Sequence, residues 1–290
     1  MKQIKESRMI IKRIVCLCIC ISVTGILQAQ YNPDNHVVTI SKYYLKAMKD
    51  IEDGSREERK ESFEEEAKKM NPLKEKLISS MVLGHYWSGA SNEVVELNEW
   101  ASIADADETI KATGETRKKA WRKDEDREEF MKKFNKYWVG KHTDVAILEL
   151  NMDYLKRSSR KHKEDTFVTI VQYTLVPLST VEDGSAEERK ELQQTFFDNI
   201  VKKDDTIISY MYLQHYWSGS AGGPEGWPII VITEYASIED ALNEDNSALW
   251  EAAWPDEEER VAFRKKFRAY WSKGKHTDLE LRNNWVALRK

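Results

Sequence analysis

The chain has 290 residues, 33% of them charged, with 45 lysines and arginines against 50 aspartates and glutamates. Nucleic acid and anionic membrane surfaces require clustered positive charge, and the chain offers only one short basic run, Arg157 to Lys163, so neither is an expected partner. The three cysteines, Cys16, Cys18 and Cys20, lie together near the start, which leaves the rest of the chain without a disulfide, a thiolate metal site or a cysteine nucleophile.

Lys2, Lys5, Arg8, Lys12 and Arg13 precede an apolar run from Ile14 to Leu27, and Ala29 stands before Gln30. A charged start, a short apolar run and a small residue at its end read as a secretory signal peptide over residues 1–30. The run has 14 residues, whereas a membrane-spanning helix needs roughly 20. No cysteine follows the Leu-x-Ala/Gly pattern of a lipoprotein signal. Cleavage removes five basic residues and one acidic residue, leaving 40 basic against 49 acidic and a net charge of −9. An exported chain without disulfides suits a bacterial periplasm or exterior, with no membrane attachment after cleavage.

The remainder is one unit written twice. His85-Tyr86-Trp87-Ser88-Gly89 returns unchanged as His215-Tyr216-Trp217-Ser218-Gly219, 130 positions later. The offset becomes 135 at Glu99/Glu234, 133 at Phe130/Phe263 and 134 at His142/His276. Insertions survive mainly in surface loops, so each change of offset marks a loop and the blocks between are elements. The predicted organisation is a first repeat over 37–151, a linker over 152–166, a second repeat over 167–283 and a tail over 284–290.

Within each repeat, Val37 to Lys46 alternates and is rich in β-branched and aromatic residues, as a strand requires. Asp53-Gly54 turns the chain. Ser55 with Glu58, and Ser185 with Glu188, have the spacing of a capping box, and a helix follows with Phe63, Ala67 and Met70 or Leu192, Phe196 and Ile200 on its apolar stripe. Leu77 to Ser88 is the second strand. One of its faces, Ser79, Met81, Leu83, His85 and Trp87, is repeated residue for residue as Ser209, Met211, Leu213, His215 and Trp217. The reverse face drifts: Ser80, Val82 and Gly84 stand against Tyr210, Tyr212 and Gln214. A third strand runs from Val94 to Ala101, or Ile229 to Ala236. Ser102 and Ser237 then cap a short helix. A longer helix is expected from Asp124 to Trp138 and from Pro255 to Trp271, with Pro255 at its first position and Gly140 and Gly274 ending it. A last strand starts at Thr143 or Thr277.

Strand, helix, strand, strand, broken helix, strand is the split βαβ ferredoxin-like order. Helices cover one face of the sheet, and the other face needs a cover, which the second copy supplies. The expected class is α+β: two ferredoxin-like βαββαβ repeats packed as an intrachain pseudo-dimeric α/β barrel. This order, the Glu99-Trp100-Ala101-Ser102-Ile103 strand ending, the broken second helix with its aromatic stripe and the histidine before the last strand resemble the dimeric α/β-barrel superfamily. That group includes antibiotic-biosynthesis-type monooxygenases, EthD-like and NIPSNAP-like proteins and haem-handling relatives. The resemblance implies two sheets packed face to face around a cavity, here within one monomer, and transfers no catalytic residue.

The candidate cavity face is His85, Trp87, Met81 and their counterparts His215, Trp217 and Met211. The histidines read either as groups that titrate in a cavity or as ends of a core-facing row. Glu99 and Glu234 end apolar strands, as a general base with a raised pKa or as a paired strand-end carboxylate. His142 with Asp144, and His276 with Asp278, have a ligand spacing but no third partner in register, so no metal site is expected. Trp227 lies in the longer second hairpin loop, Ser218 to Pro228, a candidate lid. No phosphate loop, nucleophile elbow or dinucleotide fingerprint is present. The expected function is non-enzymatic binding of a small apolar or aromatic ligand, or of a protein partner. The alternative, implied by the resemblance, is a cofactor-independent oxygenase or isomerase, or a haem-handling enzyme with His85 or His215 as base or ligand. No cofactor is otherwise expected.

Overall fold

The computed structural model describes residues 32, 34–158, 162–216, 226–243 and 245–290, the side chains of residues 273 and 274 apart. The residues read as a signal peptide, Trp217 and most of the second hairpin loop lie outside the described residues.

The first repeat comprises β1 (His36–Leu45), α1 (Arg56–Met70), β2 (Leu77–His85), β3 (Glu93–Trp100), α2 (Ile103–Lys111), α3 (Thr113–Ala120), α4 (Asp124–Asn135) and β4 (Trp138–Leu150). The second comprises β5 (Thr166–Leu175), α5 (Ala186–Phe196), β6 (Ile207–His215), β7 (Trp227–Tyr235), α6 (Ile238–Leu242), α7 (Ser247–Ala253), α8 (Glu257–Ala269) and β8 (Trp271–Asn284). Each is the expected βαββαβ unit with its second helix in pieces.

The strands form one closed barrel in the order β1-β3-β2-β8-β5-β7-β6-β4. Every neighbouring pair is antiparallel. Alternate strands therefore run the same way, so β1, β2, β5 and β6 all point to one end, the mouth. His85 and His215, the last residues of β2 and β6, reach that end, and the starts of β1 and β5 mark the opposite end, the floor. The repeats are joined by exchange: the last strand of each pairs with the second strand of the other, His85↔Arg282 at one joint and Leu148↔His215 at the other. Closure removes the free sheet edges that otherwise invite aggregation.

The exchange continues past the last strands. A short 3-10 turn follows each, Met152–Tyr154 and Val286–Leu288. Lys156 then bridges Tyr210 of the second repeat and donates its ammonium to the carbonyls of Val201 and Asp204. Lys290, 134 positions on, donates its amide to Ser80 of the first repeat and its ammonium to the Lys74 carbonyl.

The interior is apolar at mid-height. Val38, Ile40, Met81, Leu83, Val95, Leu97, Leu148 and Leu150 pack against Val168, Ile170, Met211, Leu213 and Ile232 in one buried cluster. The strand face that both repeats keep is thus core at this level. Outside the barrel each helical layer packs by rings: Phe63, Phe134 and Trp138 in the first repeat, and Phe196, Trp250, Phe263, Phe267 and Trp271 in the second.

Three local expectations are corrected. The long helix ends at Asn135 rather than Trp138, and the last strands start at Trp138 and Trp271 rather than at Thr143 and Thr277. Trp138 pairs with Leu45, and Lys46 donates its amide to the Tyr137 carbonyl at 2.9 Å. The aromatic end of the supposed helix is more useful as a rung beside β1, and Gly140, at φ +77°, lies inside β4 instead of stopping a helix. Pro255 precedes the cap: α8 starts at Glu257 with Asp256 accepting from the Glu259 amide. The capping serines do accept from Glu58 and Glu188, but their own amides go to the hydroxyls of Tyr137 and Tyr270, so a buried tyrosine replaces the reciprocal glutamate.

Candidate functional site

The kept row of β2 spans the height of the barrel. At about 3.3 Å per residue, Ser79 and His85 are roughly 20 Å apart, and the candidate residues fall on three levels.

Glu99 and Glu234 are at the floor. Glu99 lies 2.6 Å from His36 Nδ1, accepts from the Ser79 hydroxyl at 2.6 Å and receives both terminal nitrogens of Arg157, at 2.9 and 2.5 Å. Burial pushes its carboxyl up, but the hydrogen bonds from Arg157, Ser79 and His36 outweigh burial and hold it below its ordinary value. Glu234 accepts from Thr166 (2.6 Å), Ser209 (2.7 Å), Asn284 (3.0 Å) and Arg289 (2.8 Å). Glu99 has four contacts from three residues and Glu234 four from four, so each carboxylate's lone pairs are occupied and it anchors the segment that follows a final strand.

Met81 and Met211 meet in the mid-height core. His85 and Trp87 reach the mouth. His85 is exposed, with Nδ1 3.0 Å from the Ser88 carbonyl, and His215 is half-buried at the same end. Trp87 is 76% exposed and Trp227 37%. His142 lies 3.6 Å from Asp144 and His276 3.1 Å from Asp278, each histidine packed on a tyrosine, Tyr43 or Tyr173. Among the described residues no three histidine, cysteine, aspartate or glutamate side chains are grouped to hold a metal ion.

The drifting outer face builds something further. In the second repeat, Phe196 of α5 packs on Trp250 of α7 with centroids 5.8 Å apart, and Phe197 packs on Tyr210, also at 5.8 Å. The equivalent positions in the first repeat are Glu66 and Arg117, then Ala67 and Ser80. Val231 and Thr233 become Glu96 and Asn98. The result is a half-buried polar seam between α1, α3 and the outer face of β3. Tyr43 donates to Glu96, and burial followed by the Glu96 charge pushes its phenol up. Burial raises the Glu66 carboxyl above its ordinary value; Lys74 and Arg117 oppose this and Glu96 adds to it. Two buried atoms in the seam, Asn98 Oδ1 and Arg117 Nε, have no hydrogen-bond partner among the described residues. A buried polar group left unpaired costs about 1–3 kcal/mol.

The seam thus offers one carboxyl raised by burial, one unused acceptor and one unused donor. Reading the face the repeats share finds Met81 and His85 and misses Glu66, Glu96, Asn98 and Arg117. The available signal is the opposite one: positions where the repeats differ in polarity or size, with Glu66, Arg117, Glu96 and Asn98 against Phe196, Trp250, Val231 and Thr233.

No protein-family model matches the chain, and no curated protein matches it. Solved structures similar to it include a monooxygenase-like protein from Lactobacillus acidophilus NCFM, with 11% identity, a TM-score of 0.43 and coverage of 86% of this chain and 93% of that one. An anthrone oxidase-like protein has 13% identity, a TM-score of 0.39 and coverage of 87% and 91%. Chlorite dismutase from Candidatus Nitrospira defluvii, in complex with imidazole, has 12% identity, a TM-score of 0.42 and coverage of 85% and 90%. Likeness at this level transfers no residue role; the dimeric α/β-barrel architecture stands on the strand order and pairing of this chain itself.

Proposed function

We propose that this chain is an exported, monomeric and non-enzymatic binding protein that takes a small polar molecule in the seam of its first repeat. The observation that carries the reading is the pair of buried atoms without a partner among the described residues, Asn98 Oδ1 and Arg117 Nε, where the sister repeat has Thr233 and Trp250. A ligand that brings both a donor and an acceptor satisfies them together. The filled mid-height core argues against a ligand enclosed within the barrel. Export is supported by the charge pattern and apolar run of residues 1–30. No helix among the described residues is long and apolar enough to cross a membrane.

A second reading rests on Glu66. Burial raises its carboxyl above the ordinary value, the direction that suits a general acid or base, so acid–base chemistry on the bound molecule belongs to the same site. Haem does not fit these residues. The barrel interior is occupied by its own side chains and the helical layer of the second repeat by stacked rings.

Native mass spectrometry of the full chain against a library of small polar metabolites tests the reading. Bound species are expected that are lost in Arg117→Met and in Asn98→Leu and kept in Trp250→Phe. A ligand that binds both seam variants as it binds the parent protein contradicts the assignment.

A further inference from the structure

The mouth holds a second polar arrangement, separate from the seam. Lys42 of β1 lies 3.2 Å from Glu93 and 3.2 Å from Glu280. Arg282 of β8 donates Nη2 to Glu93 and Nε to Glu280. Two cations and two carboxylates close a ring across the joint between the repeats. The other joint has no such ring, because Gln172, Pro228, Ala146 and Leu148 occupy the matching positions.

Arg282 is 0% exposed, and its Nη1 is a buried nitrogen with no partner among the described residues. The guanidinium is rigid and planar, so with two edges committed its remaining N–H group points in a fixed direction. Gly89, at φ +75°, covers the ring: a Cβ there would come within 2.2 Å of Arg282 Nη2 and 2.8 Å of Glu93. The covering loop is pinned by Ser88, whose hydroxyl donates to the Leu281 carbonyl at 3.0 Å and accepts from its amide at 2.7 Å. Trp87, on the same rim, donates its amide to the Leu281 carbonyl and is the most exposed large apolar side chain among the described residues.

The charges within the ring cancel, so an added anion finds no net attraction. An uncharged group that both accepts and donates hydrogen bonds is matched: it accepts from the Arg282 N–H and donates its own O–H to Glu280 or Glu93. Vicinal hydroxyls have this character, and the C–H face of a sugar ring stacks on an exposed indole. We infer that the barrel mouth is a subsite for a neutral sugar, with Trp87 as its platform and Arg282, Glu93 and Glu280 as its hydroxyl-reading groups.

Saturation-transfer NMR and calorimetry on the full chain, with a panel of neutral hexoses and their β-linked disaccharides, test this. At least one sugar is expected to bind, with affinity falling about tenfold or more in Trp87→Ala and in Arg282→Lys, which keeps the charge and removes Nη1. Trp87 is exposed, so its variant decides the matter even if the Arg282 variant does not fold. Glu66→Gln is expected to bind the sugar unchanged, which separates this site from the seam. No binding by any sugar of the panel, or undiminished binding in Trp87→Ala, overturns the inference.

Discussion

The helical layers of the two repeats rest on the same backbone plan and both pack by rings, but they are filled differently at the seam. In the second repeat Phe196, Phe197, Tyr210, Tyr212 and Trp250 interlock with Tyr154 against the sheet. In the first, Glu66, Ala67, Ser80, Val82 and Arg117 stand at the same positions, and Trp285 and Leu288 of the crossing C-terminal segment pack into that layer. The second repeat shows that rings can fill these positions. Charges in the first are therefore not required by the fold, and they leave two buried atoms unpaired. Proteins carry this kind of local destabilisation where a site needs it.

The contrast is sharpest where the rings are removed. Phe197→Ala gives the second repeat the residue of the first, and because Phe197 is buried between Tyr154 and Tyr210 it is expected to cost about 3–5 kcal/mol in urea unfolding. A loss below about 1 kcal/mol would mean that the ring layer is not what holds this half.

The floor tests a different part of the account. Arg157→Met strips Glu99 of its strongest partner, and with Arg157 itself partly exposed a loss of about 2–3 kcal/mol is expected at neutral pH. Because the Glu99 carboxyl is held below its ordinary value, its contribution is present above that ordinary value and disappears as pH falls through the folded one. The variant and the parent protein should converge in acid; a difference that persists there would place the loss in packing.

Glu66 has the opposite sign. Its folded value is raised, so the stability it contributes is present in acid and is lost as pH rises through that folded value. Glu66→Gln should be more stable than the parent at neutral pH and no more stable in acid. Ser55→Ala and Ser185→Ala each remove an equivalent cap and should each cost about 1 kcal/mol, the same in both halves. Trp87→Ala, at an exposed site, should change stability by less than about 0.5 kcal/mol.

The architecture was legible because hydrophobic period and repeat offset survive together: the strand faces around Met81 and Met211, the capping serines and the six-element order all follow from spacing. What spacing cannot carry is depth. Ser79, Met81 and His85 alternate identically, yet one serves a floor network, one the core and one the mouth, because only the closed barrel sets their level. Nor does local pattern distinguish Trp138 as the end of a helix from Trp138 as a rung beside Leu45. The seam was hidden for another reason. Shared ancestry draws the eye to His85 and His215, whereas Glu66 and Arg117 gain meaning only when superposed on Phe196 and Trp250.

The central claim is that the first repeat departs from its sister in order to bind. Installing Phe at Glu66 together with Trp at Arg117 (E66F with R117W) rebuilds the ring pair of the second repeat, and thermal unfolding of that variant with and without the ligand found in the metabolite screen tests the claim most directly. The account predicts a higher melting temperature than the parent protein and no further shift on adding ligand. A variant that still gains stability from the ligand as the parent does would contradict it.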